Sequence, residues 1–214
     1  MKNTINLTKL FSFLLVFIFV GCTENIEIEK QSNEQMVAQN LKQFVFEYIK
    51  KSAEISTEFD KIPKSQRNVN YKNSLSNITN EHNFHQIMKS AGFSNSNAIL
   101  KLLKERFDIE NNFRIKNPTF YLYNVNKRLS MLTAEYDKAF ENLYTSKNQY
   151  EVFSCASAYN TAVGRCNRDF GKCGITAVIA ASGGFWPGLA VAVFCAWDLS
   201  DCKADASDDY EACV

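Results

Sequence analysis

The chain has 214 residues, and its 24 Lys and Arg nearly balance its 23 Asp and Glu, giving a formal charge of +1. No basic surplus is available to neutralise phosphates, which argues against nucleic-acid binding. With only eight glycines and three prolines, and apolar residues recurring at helical rather than alternating spacing, the expected fold is all-α.

The first 21 residues read as an address. Lys2 and Lys9 give a positive start, and Leu10 to Val20 form an apolar run broken only by Ser12. That run is shorter than the ~20 residues of a membrane span but fits the apolar centre of a signal peptide. It ends in Phe19-Val20-Gly21-Cys22, which resembles the lipobox of bacterial lipoproteins. Phe19 stands where that motif usually has Leu. The resemblance implies cleavage before Cys22 and acylation of Cys22 (palmitate among the chains), so that lipid ties the mature protein to a membrane. Glu24, Glu27 and Glu29 follow in an acidic tether, 22–32, resembling the export tags of surface lipoproteins in some two-membrane bacteria. The expected location is therefore the cell envelope, at the outer membrane on its periplasmic or surface face.

Residues 33–150 read as a helical body. Ser32 with Gln35 has the spacing of a capping box. Val37, Leu41, Phe44, Val45, Tyr48, Ile49, Ile55, Phe59 and Ile62 then mark one face of a long helix ending near Pro63. The Asn- and Ser-rich stretch from Lys64 to Asn80 carries no periodicity. A short helix is expected over Glu81 to Ala91, stopped by Gly92. Another carries Ile99, Leu100, Leu102, Leu103 and Phe107 and breaks before Asn117-Pro118. The last holds Leu129, Leu132, Tyr136, Phe140 and Leu143. His82 and His85 would share a helix face, but no third metal ligand can be named, so both are expected as surface histidines. Phe120, Tyr121 and Tyr123 are expected in the core. Nothing in the body assembles a nucleophile, a base and an orienting group. No catalytic residue, metal or cofactor is expected.

Residues 151–214 hold six cysteines, Cys155, Cys166, Cys173, Cys195, Cys202 and Cys213. An even number in an exported chain reads as disulfides, since the envelope is oxidising. The intervals are 11, 7, 22, 7 and 11, a palindrome about Gly184. At about 100° per residue, a step of 11 overshoots whole turns by roughly 20° and a step of 7 falls short by as much. Each trio therefore lines up along one helix. Folding the two arms antiparallel brings three rungs level: Cys155–Cys213, Cys166–Cys202 and Cys173–Cys195. Rungs need Cα atoms ~5.5–6 Å apart, closer than ordinary helix packing, so small residues must line the seam; Ala162 and Ala206 occupy mirror positions on it. Ser182-Gly183-Gly184-Phe185-Trp186-Pro187-Gly188 supplies the turn. Arg165, Arg168 and Lys172 on one arm are expected to face Asp198, Asp201 and Asp205 on the other.

The hairpin end, 174–197, has no charged residue and carries Phe185, Trp186 and Trp197. Such an apolar tip must be covered: by the body first of all, otherwise by a partner, a second copy or a membrane interface. One rival would undo the ladder. As a single transmembrane helix, 174–197 would hold Cys173 and Cys195 about 33 Å apart. The expected function is that of a non-enzymatic, envelope-anchored protein presenting a disulfide-stapled helical hairpin for binding or structural interaction. The runner-up is a membrane-active, toxin-like protein acting through the tip.

Overall fold

The computed structural model describes the backbone of residues 7–144, 154–180 and 184–213, and the side chains of 34–140, 154–179 and 184–213. Among these residues all regular structure is helical. In chain order it comprises α1 (Leu7–Asp60), two 3-10 turns (Lys64–Gln66 and Val69–Asn77), α2 (Glu81–Ser90), α3 (Ser96–Lys116), α4 (Pro118–Leu122), α5 (Val125–Tyr144), α6 (Cys155–Ala180) and α7 (Phe185–Cys213). The chain divides into two units, one up to Asn40 and one from Leu41 onward; the core, the hairpin and the polar clusters described below belong to the second.

Local chemistry sets the boundaries. α1 runs through 22–32 and past Ser32, so the Ser32–Gln35 pair does not begin a helix. Between Gly21 and Pro63 no glycine or proline interrupts the chain, and Glu, Lys and Gln propagate a helix readily. Pro63 ends it. Asn80 caps α2, its side-chain oxygen accepting from the Asn83 amide at 2.9 Å. Gly92 follows α2 at φ +98, and a Cβ there would lie 2.5 Å from the Gln66 carbonyl oxygen. That position therefore needs glycine twice over, for conformation and for space. Asn117 closes α3 by donating from Nδ2 to the Phe113 carbonyl at 2.9 Å, and Pro118 opens α4. Ser154 caps α6 through its hydroxyl, which accepts from the Ser157 amide at 3.1 Å.

One core gathers apolar side chains from six parts of the chain. α1 gives Ile55 and Phe59, the second 3-10 turn Leu75, α2 Phe84, Ile87 and Met88, α3 Ile99, Leu100 and Leu103, α6 Ala177, and α7 Leu189, Val193, Ala196 and Trp197. Phe93 sits at the centre, edge-on to both Phe59 (4.8 Å) and Trp197 (5.0 Å). Body and hairpin thus share a core. A second aromatic group joins α1 to α3 and α4, with Phe44 stacked on Phe113 at 4.5 Å and Phe113 against Phe120 at 5.2 Å. Of the three aromatics expected in the core, Phe120 is buried, while Tyr121 and Tyr123 are only half-buried beside it.

α5 leans on α6. Leu132, Tyr136 and Phe140 are buried, but Leu129, expected on the same face, is exposed. Tyr136 lies across Gly171 and donates its hydroxyl to the Asn167 carbonyl at 3.1 Å. A Cβ at 171 would fall 1.7 Å from Tyr136 Cζ, so the ring could stay only by abandoning its seat. Gly171→Ala is expected to cost about 1–3 kcal/mol, the range for overpacking. Hydrogen exchange should locate that loss in α5, with faster amides there and unchanged protection in α7.

Candidate functional site

The hairpin folds as the spacing requires. Cys155–Cys213, Cys166–Cys202 and Cys173–Cys195 are bonded, with Cα separations of 5.8, 5.7 and 5.6 Å. The near-constant distance means that α6 and α7 run level along all three rungs. Ala206 is buried and Ala162 half-buried in the seam, where larger side chains would push the helices apart. α6 ends at Ala180 and α7 begins at Phe185, so 174–197 is not one helix. No helix among the described residues is long and apolar enough to cross a membrane. Gly184, the centre of the palindrome, has φ +116, a conformation in which L side chains are strained. Ser182 and Gly183 of the expected turn lie outside the described residues, as does the side chain of Cys22.

The body covers most of the apolar tip, though Phe194 is 40% exposed. Trp197, Leu189 and Val193 are fully buried, and Phe185 and Trp186 pack against the same core from its edge. Phe185 meets Phe107 of α3 at 4.9 Å. Burying a tryptophan removes well over a hundred Å² of apolar surface from water, and a charge placed on the buried face of the tip would oppose that gain.

The acidic row of α7 has other partners than the expected ones. Asp198, Asp201 and Asp205 do not pair with Arg165, Arg168 and Lys172. They face the 3-10 segment of the body instead. Asp201 accepts from Arg67 Nη1 at 2.8 Å, Asp198 pairs with Lys72, and Asp205 pairs with Lys64. Lys172 approaches only Asp169 on its own helix, at 3.9 Å. The cause is geometric. With Cα atoms under 6 Å apart at each rung, the seam is filled by cysteine and alanine, and long charged side chains are turned to its flanks. One flank forms a shallow groove of about 410 Å³ lined by Phe170, Leu199, the inner and middle rungs, and Asp169, Asp198, Asp201 and Asp205.

Arg67 is the hub of that flank. Its guanidinium also donates to the carbonyls of Ile62 (2.8 Å) and Phe59 (3.0 Å) and to Ser200 Oγ (2.8 Å). It lies 5.7 Å from the Phe93 ring centroid. Ser200 donates onward to Asp60, which also receives Lys203. One side chain thereby ties the end of α1, the loop after it and α7 together.

Two further polar clusters were not visible in the sequence. On α3, Arg106 and Glu110 are both buried, with Nε 3.8 Å from Oε1, and the Arg106 guanidinium lies 4.9 Å from the Tyr48 ring centroid. Tyr48 donates its hydroxyl to the Gly174 carbonyl at 2.9 Å, and burial raises that phenol well above its ordinary value. Burial likewise pushes Glu110 up to about 7, against the opposing pull of Arg106 and Arg114. A carboxyl whose folded value exceeds its unfolded one binds its proton more tightly in the native state. Its contribution therefore favours folding at low pH and is lost as pH rises from about 4.5 to about 7. The span is of order 3 kcal/mol, each tenfold change in proton affinity being about 1.4 kcal/mol. Urea titrations across that window should show the decline in the native chain and its absence in Glu110→Gln.

The second cluster lies where α2 meets α3. His85 Nδ1 is 3.0 Å from Ser96 Oγ, and His85 Nε2 is 3.9 Å from Glu81, which Lys104 holds at 2.9 Å. The carboxylate is committed to lysine and too far from the ring for a hydrogen bond, so the group does not form a serine nucleophile relay. His82 is exposed. Among the described residues no three His, Cys, Asp or Glu side chains gather as metal ligands.

No protein-family model, curated protein or solved structure matches the chain.

Proposed function

We propose that the chain is an envelope lipoprotein, acylated on Cys22, that presents a disulfide-stapled helical domain for binding or structural work rather than for catalysis. The observation that carries this reading is the pairing of two features at opposite ends of the chain. Phe19-Val20-Gly21-Cys22 after an apolar run resembles a lipobox, and six later cysteines close three level disulfides. Such bonds persist in oxidising compartments outside the cytosol, which is where a lipobox would send the chain. Two or more acyl chains, at ~0.8 kcal/mol per buried methylene, would give firm anchorage where one would not. The runner-up, a membrane-active tip, gains nothing from Trp197, which would have to leave the core to reach a bilayer.

The test is expression in a bacterial host fed labelled palmitate. Label on the native chain and none on Cys22→Ser, with a mature N-terminal peptide beginning at modified Cys22, is the expected result. Equal labelling of the two, or a mature chain starting elsewhere, would end the lipoprotein reading.

A further inference from the structure

We propose that the cleft between the second 3-10 turn and α2 binds a saccharide carrying N-acetyl groups. The cleft is open to solvent and has a volume of about 520 Å³, within the range of small-molecule sites. Tyr71 and Asn77 line it from the 3-10 turn, and Asn83, Gln86, Ile87 and Lys89 line it from α2, with a serine from each element. Asn83 is already oriented. Its side-chain oxygen accepts from the Thr79 amide at 3.2 Å. A backbone N–H can only donate, so oxygen and nitrogen are told apart and Nδ2 is left to a ligand. The side chains of Tyr71, Asn77, Gln86 and Lys89 have no hydrogen-bond or ionic partner among the described residues.

The lining selects its ligand by exclusion and by fit. No Asp or Glu lines the cleft among the described residues, so a metal ion or a cationic ligand finds no counter-charge there. An apolar ligand would shut the amides of Asn77, Asn83 and Gln86 away from water without partners. A sugar hydroxyl both donates and accepts, as a side-chain amide does, so the two pair in either sense. The C–H face of a pyranose ring is apolar and lies best on a flat apolar surface. Tyr71, 37% exposed, offers its ring for that. An acetamido group adds an N–H, a C=O and a methyl, which the amides and the Ile87 side chain match. Lys89 admits carboxylate-bearing sugars alongside neutral ones. The site supplies a ligand for the binding role proposed above. It rests on that reading for the source of the sugar, the glycan of an envelope, and not for the binding itself.

The test titrates the dissolved full chain with diacetylchitobiose and, as the matched control, with cellobiose, which has hydroxyls in place of the acetamido groups. Backbone amide shifts in nuclear magnetic resonance locate the binding, and their saturation gives Kd. The expected result is saturable shifts centred on residues 71–90, with cellobiose bound about tenfold more weakly for want of the acetamido contacts. Asn77→Ala and Gln86→Ala should each raise Kd about tenfold, the equivalent of one hydrogen bond. Tyr71→Ala should raise it at least as much. All three positions are exposed, so each variant should keep the native unfolding midpoint and the native spectrum away from the cleft. The absence of saturable shifts at tens of millimolar sugar overturns the inference. So do shifts centred elsewhere, equal affinity for cellobiose, or native affinity in the three variants. Sedimentation of the chain with purified cell-wall sacculi, competed by the disaccharide, assigns the ligand to wall strands; binding of the disaccharide without sedimentation assigns it to a soluble saccharide, and either result upholds the site. Because the titration is read in solution, failure of the palmitate test leaves it standing.

Discussion

Arg67→Ala is expected to lower the unfolding free energy by about 3–5 kcal/mol, the range for removing one partner of a buried ion pair. The arginine side chain is 2% exposed and that of Asp201 16%, so little water is available to replace what is lost. Four acceptors lose their donor together: the Asp201 carboxylate, Ser200 Oγ and the carbonyls of Phe59 and Ile62. Lysine should not rescue the variant, because a single ammonium cannot reproduce the planar fork that reaches four acceptors on three segments. Lys64→Ala offers the contrast. Its partner Asp205 is largely solvated, and exposed pairs contribute about 0–1 kcal/mol. Urea midpoints for Arg67→Ala, Arg67→Lys and Lys64→Ala should therefore rank with the first two low and the third near the native value. A native-like midpoint for Arg67→Ala would mean that the loop after α1 does not hold α7 in place.

The second large effect belongs to the inner rung. Replacing Cys173 and Cys195 together by alanine is expected to cost about 3–4 kcal/mol. Roughly 3 comes from the freed loop, whose closure spans 22 residues. The remainder comes from the space left by Cys195, which is fully buried next to Ala196 and Trp197. Removing the outer rung should behave differently. Cys213 is exposed and Cys155 half-buried, and near them the Tyr159–Tyr210 ring pair, at 5.5 Å, bridges the arms. The ends of α6 and α7 are thus free to fray without disturbing the core. Thermal unfolding should show a clear drop in midpoint for the inner pair. For the outer pair, hydrogen exchange should quicken at the ends of the two helices while the global midpoint moves less.

Legibility followed the reach of the signal. The rungs were readable because residue interval and helical phase are both properties of the chain itself. Burial of the tip was foreshadowed by 24 residues without charge, since covering such a stretch needs only that something apolar be near. Arg67 was invisible because it stands alone in a polar stretch without periodicity, and its carboxylate partner is 134 positions away. The aspartates of α7 were seen as a row but matched to the wrong cations, because sequence arithmetic places helices side by side without saying which flank the rest of the body covers. Arg106 and Glu110 gave no signal, because an Arg and a Glu four apart have the spacing of a solvated surface pair, and their burial depends on packing that the sequence does not show, Tyr48 against Arg106 included. Leu129 of α5 was likewise misjudged, since amphipathic spacing marks an apolar face but cannot tell whether anything lies against it.

The three rungs also determine what a protease could accomplish. Cys155 and Cys213 enclose nearly all of the last 60 residues, and the two inner bonds are nested within the outer one. A single backbone cut anywhere between those outer cysteines releases no fragment, because at least one bond still bridges the cut. A second cut frees a piece only when no rung is split between that piece and the rest: both cuts between neighbouring cysteines on one arm, both in the turn, or one on each arm between the same two rungs. A single nick in this hairpin would therefore add only the mass of one water and release nothing until a reductant arrived, and the nicked chain would keep Trp197 within reach of the core it fills.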